Sequence, residues 1–195
     1  MLGKIEISLD QIKSNWTALN FASKGKAAAV VKADAYGFGM TRITKTLINA
    51  GCKYFYVANL VEAIQLRKEI TNKDIRIAVF EGFLEGTEIT YFNNKLTPII
   101  NSLKQLKRLI FLFRQGKKIR AILNINTGMN RLGLHSKEID FLQKNKNIVN
   151  ELEWDFIMSH LANSEDFKNV INDTQLNKLL EFSKNFPNIK LSFSN

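Results

Sequence analysis

The sequence predicts an incomplete parallel α/β barrel of the (β/α)8, TIM-barrel type, with about seven of its eight strands present. Three observations carry that prediction. Short apolar strands alternate with helical segments along all 195 residues, the signature of βαβ units and a parallel sheet. No topological switch interrupts the alternation, which favours a barrel over a doubly wound sheet. A complete barrel needs eight strands and ~250 residues, and this chain stops inside its seventh.

Residues 4–9 alternate as Lys-Ile-Glu-Ile-Ser-Leu, a short strand-like lead. Leu9, Ile12, Trp16 and Leu19 then recur at helical spacing, with Asp10 in the first turn. Ala27 to Val31 is a wholly apolar run closed by Lys32, and Gly37 and Gly39 break the chain beyond it; this reads as a buried strand over 27–32. A helix over 41–50 turns Ile43, Leu47 and Ile48 inward and stops at Gly51. Residues 54–58 form a second strand, and Asn59 caps a helix over 60–70 whose start Glu62 supports. A third strand over 75–80 ends at Gly82, and 86–94 is a short helix. The fourth strand spans 96–100, with Pro98 suited to its beginning. Ser102-Leu103-Lys104-Gln105 is a capping box opening a helix with Leu103, Leu106, Ile110 and Phe113 on one face. A fifth strand over 120–125, a helix over 136–147 and a sixth strand over 154–158 follow. Leu176, Leu179, Leu180 and Phe186 line another helix that Pro187 stops, and 189–193 begins the seventh strand.

Composition narrows the function classes. Hydrophobic residues make up 45%, which excludes disorder by composition. The net charge of +10 could mark a nucleic-acid or membrane partner. The basic residues are dispersed, however, and their densest clusters, 104–118 and 144–146, read as exposed helix faces without an aromatic-basic motif. No nucleic acid and no membrane is the expectation. The single cysteine, Cys52, leaves no intrachain disulfide and no Cys-based zinc site. The start, Met1-Leu2-Gly3-Lys4-Ile5-Glu6, has no signal-peptide core, and no stretch approaches membrane-span length, so a cytoplasmic protein is expected.

Barrel active sites sit on the loops after the C-terminal strand ends. Lys32 closes the first strand amid apolar backbone. Desolvation there favours the neutral amine that Schiff-base chemistry requires, although a lysine at a strand end is ordinarily just solvated. Arg131, between Gly128 and Gly133 after strand five, could hold an anion through its rigid fork; the bland alternative is a surface arginine. His160, at the end of strand six, could stack on a flat cofactor or shuttle a proton, where a core histidine bonded to backbone is the ordinary case. His135 is left on the surface.

These strings carry a resemblance. Ala29-Val30-Val31-Lys32-Ala33-Asp34-Ala35-Tyr36-Gly37-Phe38-Gly39 closely resembles the pyridoxal-phosphate attachment motif of the alanine racemases. The resemblance implies that Lys32 holds the cofactor covalently and acts as an acid/base, and that Tyr36 contacts its phosphate. Phe38 stands where histidine is common. Asn126-Thr127-Gly128-Met129-Asn130-Arg131-Leu132-Gly133 is similar to the family's Asp-Thr-Gly-Met-x-Arg-Leu-Gly motif, which implies that Arg131 lies near the cofactor's phenolic oxygen and the substrate carboxylate. Asn126 replaces the usual aspartate, and Asn124 stands where many members carry a carbamylated lysine that steadies the arginine. Ser159-His160-Leu161-Ala162 resembles the segment whose histidine stacks on the pyridine ring, a role that falls to His160. Leu191 to Asn195 resembles a strand-seven motif continuing with a phosphate-binding serine, and the Leu9-Asp10 entry into the first helix is also similar to the family's.

The resemblance covers essentially the whole chain but only about half of a family member. It implies that residues 1–195 are the N-terminal pyridoxal-phosphate-binding barrel domain. The eighth strand, its phosphate-binding glycine loop, an arginine facing the pyridine nitrogen and the C-terminal β-domain fall outside the chain. In the family that domain supplies a catalytic tyrosine across a homodimer interface. Racemisation needs bases on both faces of a planar carbanion; Lys32 serves one face, and no motif here serves the other. The expected function is interconversion of L- and D-alanine for peptidoglycan synthesis, with a complementing C-terminal half as partner. Unpaired barrel edges also invite another chain, so a fragment, one half of a split product or a decayed remnant is expected. The alternatives are a non-catalytic pyridoxal-phosphate-binding barrel, whose lysine motif reads differently, and an inactive remnant.

Overall fold

The computed structural model describes residues 3–194. Met1 and Leu2, read for a leader, and Asn195, the end of the strand-seven motif, lie outside the described residues. The chain forms two compact units, one running through Phe80 with Asn94–Leu96, the other comprising Glu81–Asn93 and the chain from Thr97.

The first unit contains α1 (Leu9–Ala22), β1 (Ala29–Val30), the short turn α2 (Lys32–Tyr36), α3 (Met40–Asn49), β2 (Tyr54–Val57), α4 (Leu60–Glu69) and β3 (Arg76–Val79). β2 pairs in parallel with β1 and with β3. No strand forms over 4–9. Ser8 instead caps α1, its Oγ accepting from the Gln11 N–H at 3.2 Å, and no described strand pairs with the residues before it. β1 is shorter than expected and is not buried on both faces. Register places Ala29, Phe55 and Ile77 on one face, all buried, and Val30, Tyr56 and Ala78 on the other, where Val30 is 43% exposed. Successive strand residues face opposite sides, so an unbroken apolar run does not by itself guarantee two covered faces. α3 buries Met40, Ile43, Thr44 and Leu47, as its helical spacing requires.

Arg67 of α4 is buried and donates to four carbonyls: Ile75 at 2.8 Å, Asn72 at 3.1 Å, Ile70 at 3.3 Å and Lys95 at 3.4 Å. It ties the end of α4 to the start of β3. Burial, and then neighbouring Arg76, push its pKa below the ordinary arginine value.

The second unit contains α5 (Glu88–Asn93), β4 (Thr97–Ile100), α6 (Leu103–Arg114), β5 (Ala121–Asn124), α7 (Ser136–Lys144), α8 (Lys146–Asn150), β6 (Trp154–His160), α9 (Val170–Ser183) and β7 (Leu191–Ser194). β4 to β7 pair in parallel, each with its neighbour. All residues of β4 and β5 are buried, the pattern of parallel strands covered on both faces. The helix expected over 136–147 breaks at Asn145, whose Nδ2 donates to the Phe141 carbonyl at 2.8 Å. Such side-chain bonding competes with helix propagation. The buried side of α9 is Gln175, Leu179 and Phe182, continued by Phe186, whereas Leu180 is exposed. The expected leucine stripe is therefore rotated by one position, onto a polar residue.

One device recurs in both units. An acidic or amide side chain in the first two turns of a crossover helix reaches back to the segment that follows the strand of the preceding βα unit. Glu62 of α4 accepts from the Ala33 N–H, after β1, at 2.9 Å and from the Ala58 N–H at 2.8 Å. Gln105 of α6 donates to the Glu81 carbonyl, after β3, at 2.7 Å and accepts from the Asn101 N–H at 2.8 Å. Glu138 of α7 accepts from the Leu103 N–H, after β4, at 2.8 Å. Gln175 of α9 donates to Thr127 Oγ1, after β5, at 3.2 Å. The caps at Asn59 and Ser102 form as read, accepting from the Glu62 and Gln105 N–H groups. The partner side chains, however, bond the residue before the cap rather than the cap itself.

Candidate functional site

Lys32 opens a left-handed turn. Ala33, Asp34, Ala35 and Tyr36 have φ of +51°, +54°, +53° and +57°. None is glycine, and each L-residue in this region costs about 1–2 kcal/mol. Several bonds hold the turn. The Ala35 N–H donates to the Val31 carbonyl at 2.9 Å, Gly37 to Ala33 at 3.0 Å and Gly39 to Asp34 at 2.9 Å. Asp34 Oδ1 accepts from the Met40 N–H at 2.7 Å, and Glu62 accepts from Ala33. Strain of this kind concentrates at functional sites.

The turn brings Lys32 and Tyr36 together. Lys32 Nζ lies 5.8 Å from the Tyr36 ring centroid and 5.7 Å from that of Phe80, within reach of a cation–π interaction. Phe80 stacks on Tyr56 at 5.2 Å, and Tyr56 lies 5.4 Å from Tyr54. An aromatic wall thus backs the amine. Lys32 is half-buried rather than fully desolvated, because aromatic rings cover part of it and leave the rest open. Among the described residues it has no carboxylate partner. Tyr36 is 62% exposed. Phe80 was not picked out from the sequence; its place just beyond β3 was the available signal.

In the second unit, Arg131 sits on the loop between β5 and α7, exposed and without a carboxylate in ion-pair range among the described residues. Asn126 organises the loop. Its Oδ1 accepts from the Gly128 and Asn130 N–H groups, both at 3.0 Å, and its Nδ2 donates to Asn130 Oδ1 at 2.9 Å. The two accepted bonds are ones an aspartate oxygen makes equally well, so asparagine keeps the loop. Leu134 closes the base through the Asn124 carbonyl at 2.9 Å. Gly133 has φ +101°, and a Cβ there would meet the Asn126 nitrogen at 2.8 Å; only glycine fits. The buried Asn124 amide donates to Asn101 Oδ1 at 2.8 Å. His135 is exposed and precedes α7, as expected of a surface residue.

His160 ends β6, half-buried, opposite Ser194 of β7. Its carbonyl accepts from Gln175 Nε2 at 2.9 Å, and Gln175 Oε1 accepts from the Ala162 N–H at 2.9 Å. The same amide reaches Thr127, whose hydroxyl pairs with Ser159 Oγ at 2.7 Å; Ser159 donates on to the Ile125 carbonyl at 2.8 Å. A buried polar network therefore joins the Arg131 loop to the His160 loop. Sequence reasoning missed Gln175; a lone glutamine on an otherwise apolar helix face was the signal. Lys32 and Tyr36 belong to the first unit, Arg131 and His160 to the second.

Chemically, an amine flanked by rings and lacking a counter-charge is suited to capturing a carbonyl compound. An exposed arginine on a pinned loop is suited to an anion. The described residues hold no group of three or more His, Cys, Asp or Glu side chains placed for a metal ion, and no helix long and apolar enough to cross a membrane.

Comparison with known proteins follows the same lines. The profile of the family described as alanine racemase, N-terminal domain, matches residues 7–195. An alanine racemase of Rickettsia prowazekii (strain Madrid E) is 40% identical over 193 residues, which span 98% of this chain and 48% of that protein. The crystal structure of alanine racemase from Bartonella henselae with covalently bound pyridoxal phosphate aligns with a TM-score of 0.90 at 35% identity, covering 96% of this chain and 55% of that one. A histidine racemase from Leuconostoc mesenteroides shares the fold, with a TM-score of 0.82 at 21% identity over 96% of this chain and 51% of that one. The chain spans about half the length of the curated relatives it matches. The likeness bears out the predicted fold class, a parallel α/β barrel domain.

Proposed function

The chain belongs to the alanine racemase family, as its N-terminal domain, and from that premise we propose that residues 1–195 form the pyridoxal-phosphate-binding barrel part of a cytoplasmic enzyme interconverting L- and D-alanine, whose D-alanine feeds peptidoglycan synthesis. One observation carries the reading: the Lys32 amine at the end of the first strand, faced by Tyr36 and Phe80 and free of a carboxylate partner among the described residues. The residues fit the cofactor, since the amine suits its aldehyde, and the exposed Arg131 guanidinium and Tyr36 phenol suit its anionic groups.

When bound, pyridoxal phosphate supplies an electron sink for charge developing at the substrate α-carbon. Lys32 Nζ would hold the cofactor covalently, and the same amine would serve as acid/base for the α-proton on one face of the substrate. Tyr36 binds the phosphate through its hydroxyl. His160 would stack on the cofactor ring, and Arg131 would hold the phenolic oxygen and the substrate carboxylate through its fork. The base for the other face comes from a complementing C-terminal half, in a homodimer like that of the full-length family. Relatives named as racemases favour catalysis over the carrier and remnant readings. A fold shared with a histidine racemase leaves substrate choice to the site.

The test is capture of pyridoxal phosphate by the full chain, trapped with borohydride and located by mass spectrometry. Added mass on the peptide holding Lys32, absent in Lys32→Ala, is expected. Folded protein that captures no cofactor at Lys32 would overturn the reading.

A further inference from the structure

We propose that Glu62 is the positioning residue for Lys32, holding the peptide that follows the lysine so that its amine is presented for capture; the inference rests on the cofactor reading above. The Lys32–Ala33 peptide is planar. Fixing the direction of the Ala33 N–H therefore fixes both ψ of Lys32 and φ of Ala33. Glu62 Oε1 accepts that N–H at 2.9 Å across 29 residues of sequence. The second oxygen accepts from the Ala58 N–H at 2.8 Å, just past β2. One carboxylate thus bridges the ends of two neighbouring strands, β1 and β2, and so references the lysine to the sheet.

The position that Glu62 holds is the first of four consecutive left-handed residues, none of them glycine. Such a run persists only when surrounding structure over-determines it. At its two ends the segment is tied elsewhere, the Val31 N–H donating to the Tyr56 carbonyl at 2.8 Å and the Gly39 carbonyl accepting from the Ile43 N–H at 3.0 Å. For the left-handed residues 33–36 themselves, Glu62 is the one anchor from outside 31–40 among the described bonds. Glu62 itself is anchored: it lies in the first turn of α4, and its own N–H donates to Asn59 Oδ1 at 3.0 Å. Charge matters as well as shape. Both Glu62 oxygens face N–H donors, and an ionised carboxylate accepts at both. Glutamine keeps one acceptor and turns an NH2 toward the other N–H, so the near-isosteric change breaks one of the two bonds.

The experiment compares wild type, Glu62→Gln and, as a control on the same helix, Glu69→Gln, which touches only the exposed Lys45 pair. Two quantities are measured on folded full-length chain. The first is the rate of pyridoxal phosphate capture at Lys32. The second, made without cofactor, is amide hydrogen exchange over 33–37 relative to the strand amides of 54–57 and 76–79. Glu62→Gln is expected to slow capture about tenfold, the scale of one charge-assisted bond. It is also expected to speed exchange over 33–37 while the strands stay protected; Glu69→Gln should change neither. A purely structural role would loosen strands and turn together. Unchanged capture and unchanged exchange in Glu62→Gln, or equal loosening of strands and turn, overturns the proposal. Should wild type capture nothing, selective loosening of 33–37 still supports positioning by Glu62, and the cofactor reading falls by itself.

Discussion

Replacing Gln175 with leucine tests whether the network between the two loops of the second unit holds them. The glutamine is fully buried. Its amide satisfies the Ala162 N–H and the His160 carbonyl and adds a bond to Thr127. Thr127 retains Ser159 as a partner when the amide is removed, so two backbone groups lose a partner. Each of the three lost bonds costs about 0.5–1.5 kcal/mol, so about 3 kcal/mol in sum follows. Leucine is similar in volume and regains about 1 kcal/mol by apolar burial. The net loss is about 2 kcal/mol, or about 4–8 °C in Tm for a chain of this length. Urea and thermal unfolding give the global figure. Hydrogen exchange gives the local one, with protection lost first over 125–134 and 160–166. A loss below about 0.5 kcal/mol, or exchange rising uniformly, would show that the amide fills space and organises nothing.

Two further outcomes follow from buried groups. Arg67→Met removes a cation whose burial is unfavourable but also removes its bonds to four carbonyls, of which that of Asn72 keeps the Ile75 N–H at 3.4 Å; with the lost bonds the larger effect, a loss of about 2–3 kcal/mol is expected in urea titration. An unchanged midpoint would mean that desolvation of the guanidinium cancels its bonds. Burial pushes the Cys52 thiol and the Tyr91 phenol above their ordinary pKa values. In the unfolded chain these groups ionise from about pH 8.5 and about pH 10. Above those values the unfolded state binds fewer protons than the folded one, so stability falls as pH rises. The urea midpoint should drop across this window and drop less steeply in Tyr91→Phe above about pH 10; identical slopes would refute the assignment.

Much of the fold was legible because apolar spacing fixes which residues can be covered. β2 to β7 lie within a residue or two of their expected spans. What escaped depended on partners remote in sequence. The strand-like lead failed because alternation predicts a strand only where another strand receives it, and Ser8 had a nearer use as a cap. Nothing in Ala-Asp-Ala-Tyr favours a left-handed backbone, and only Gly37 and Gly39 hinted at a reversal. Glu62 was visible as a helix-start residue, yet the oxygen that matters bonds Ala33. At the candidate site, Lys32 and Tyr36 were found by motif and do lie together, while Phe80 and Gln175 required the fold to bring them there.

The back-reaching side chains also set an order of completion during synthesis. Each comes from the helix one βα unit further along: α4 onto the loop after β1, α6 onto that after β3, α7 onto that after β4, α9 onto that after β5. A chain emerging N-terminus first leaves each loop provisional until the next unit arrives. The lysine turn waits for 29 residues, from Ala33 to Glu62, about 1.5–6 s of translation, and the loop after β3 for 24, from Glu81 to Gln105. The Arg131 loop waits for 48, from Thr127 to Gln175. Because Glu62 is the first of the four side chains to be synthesised, the segment bearing Lys32 is the earliest of the four to gain its back-reaching bond.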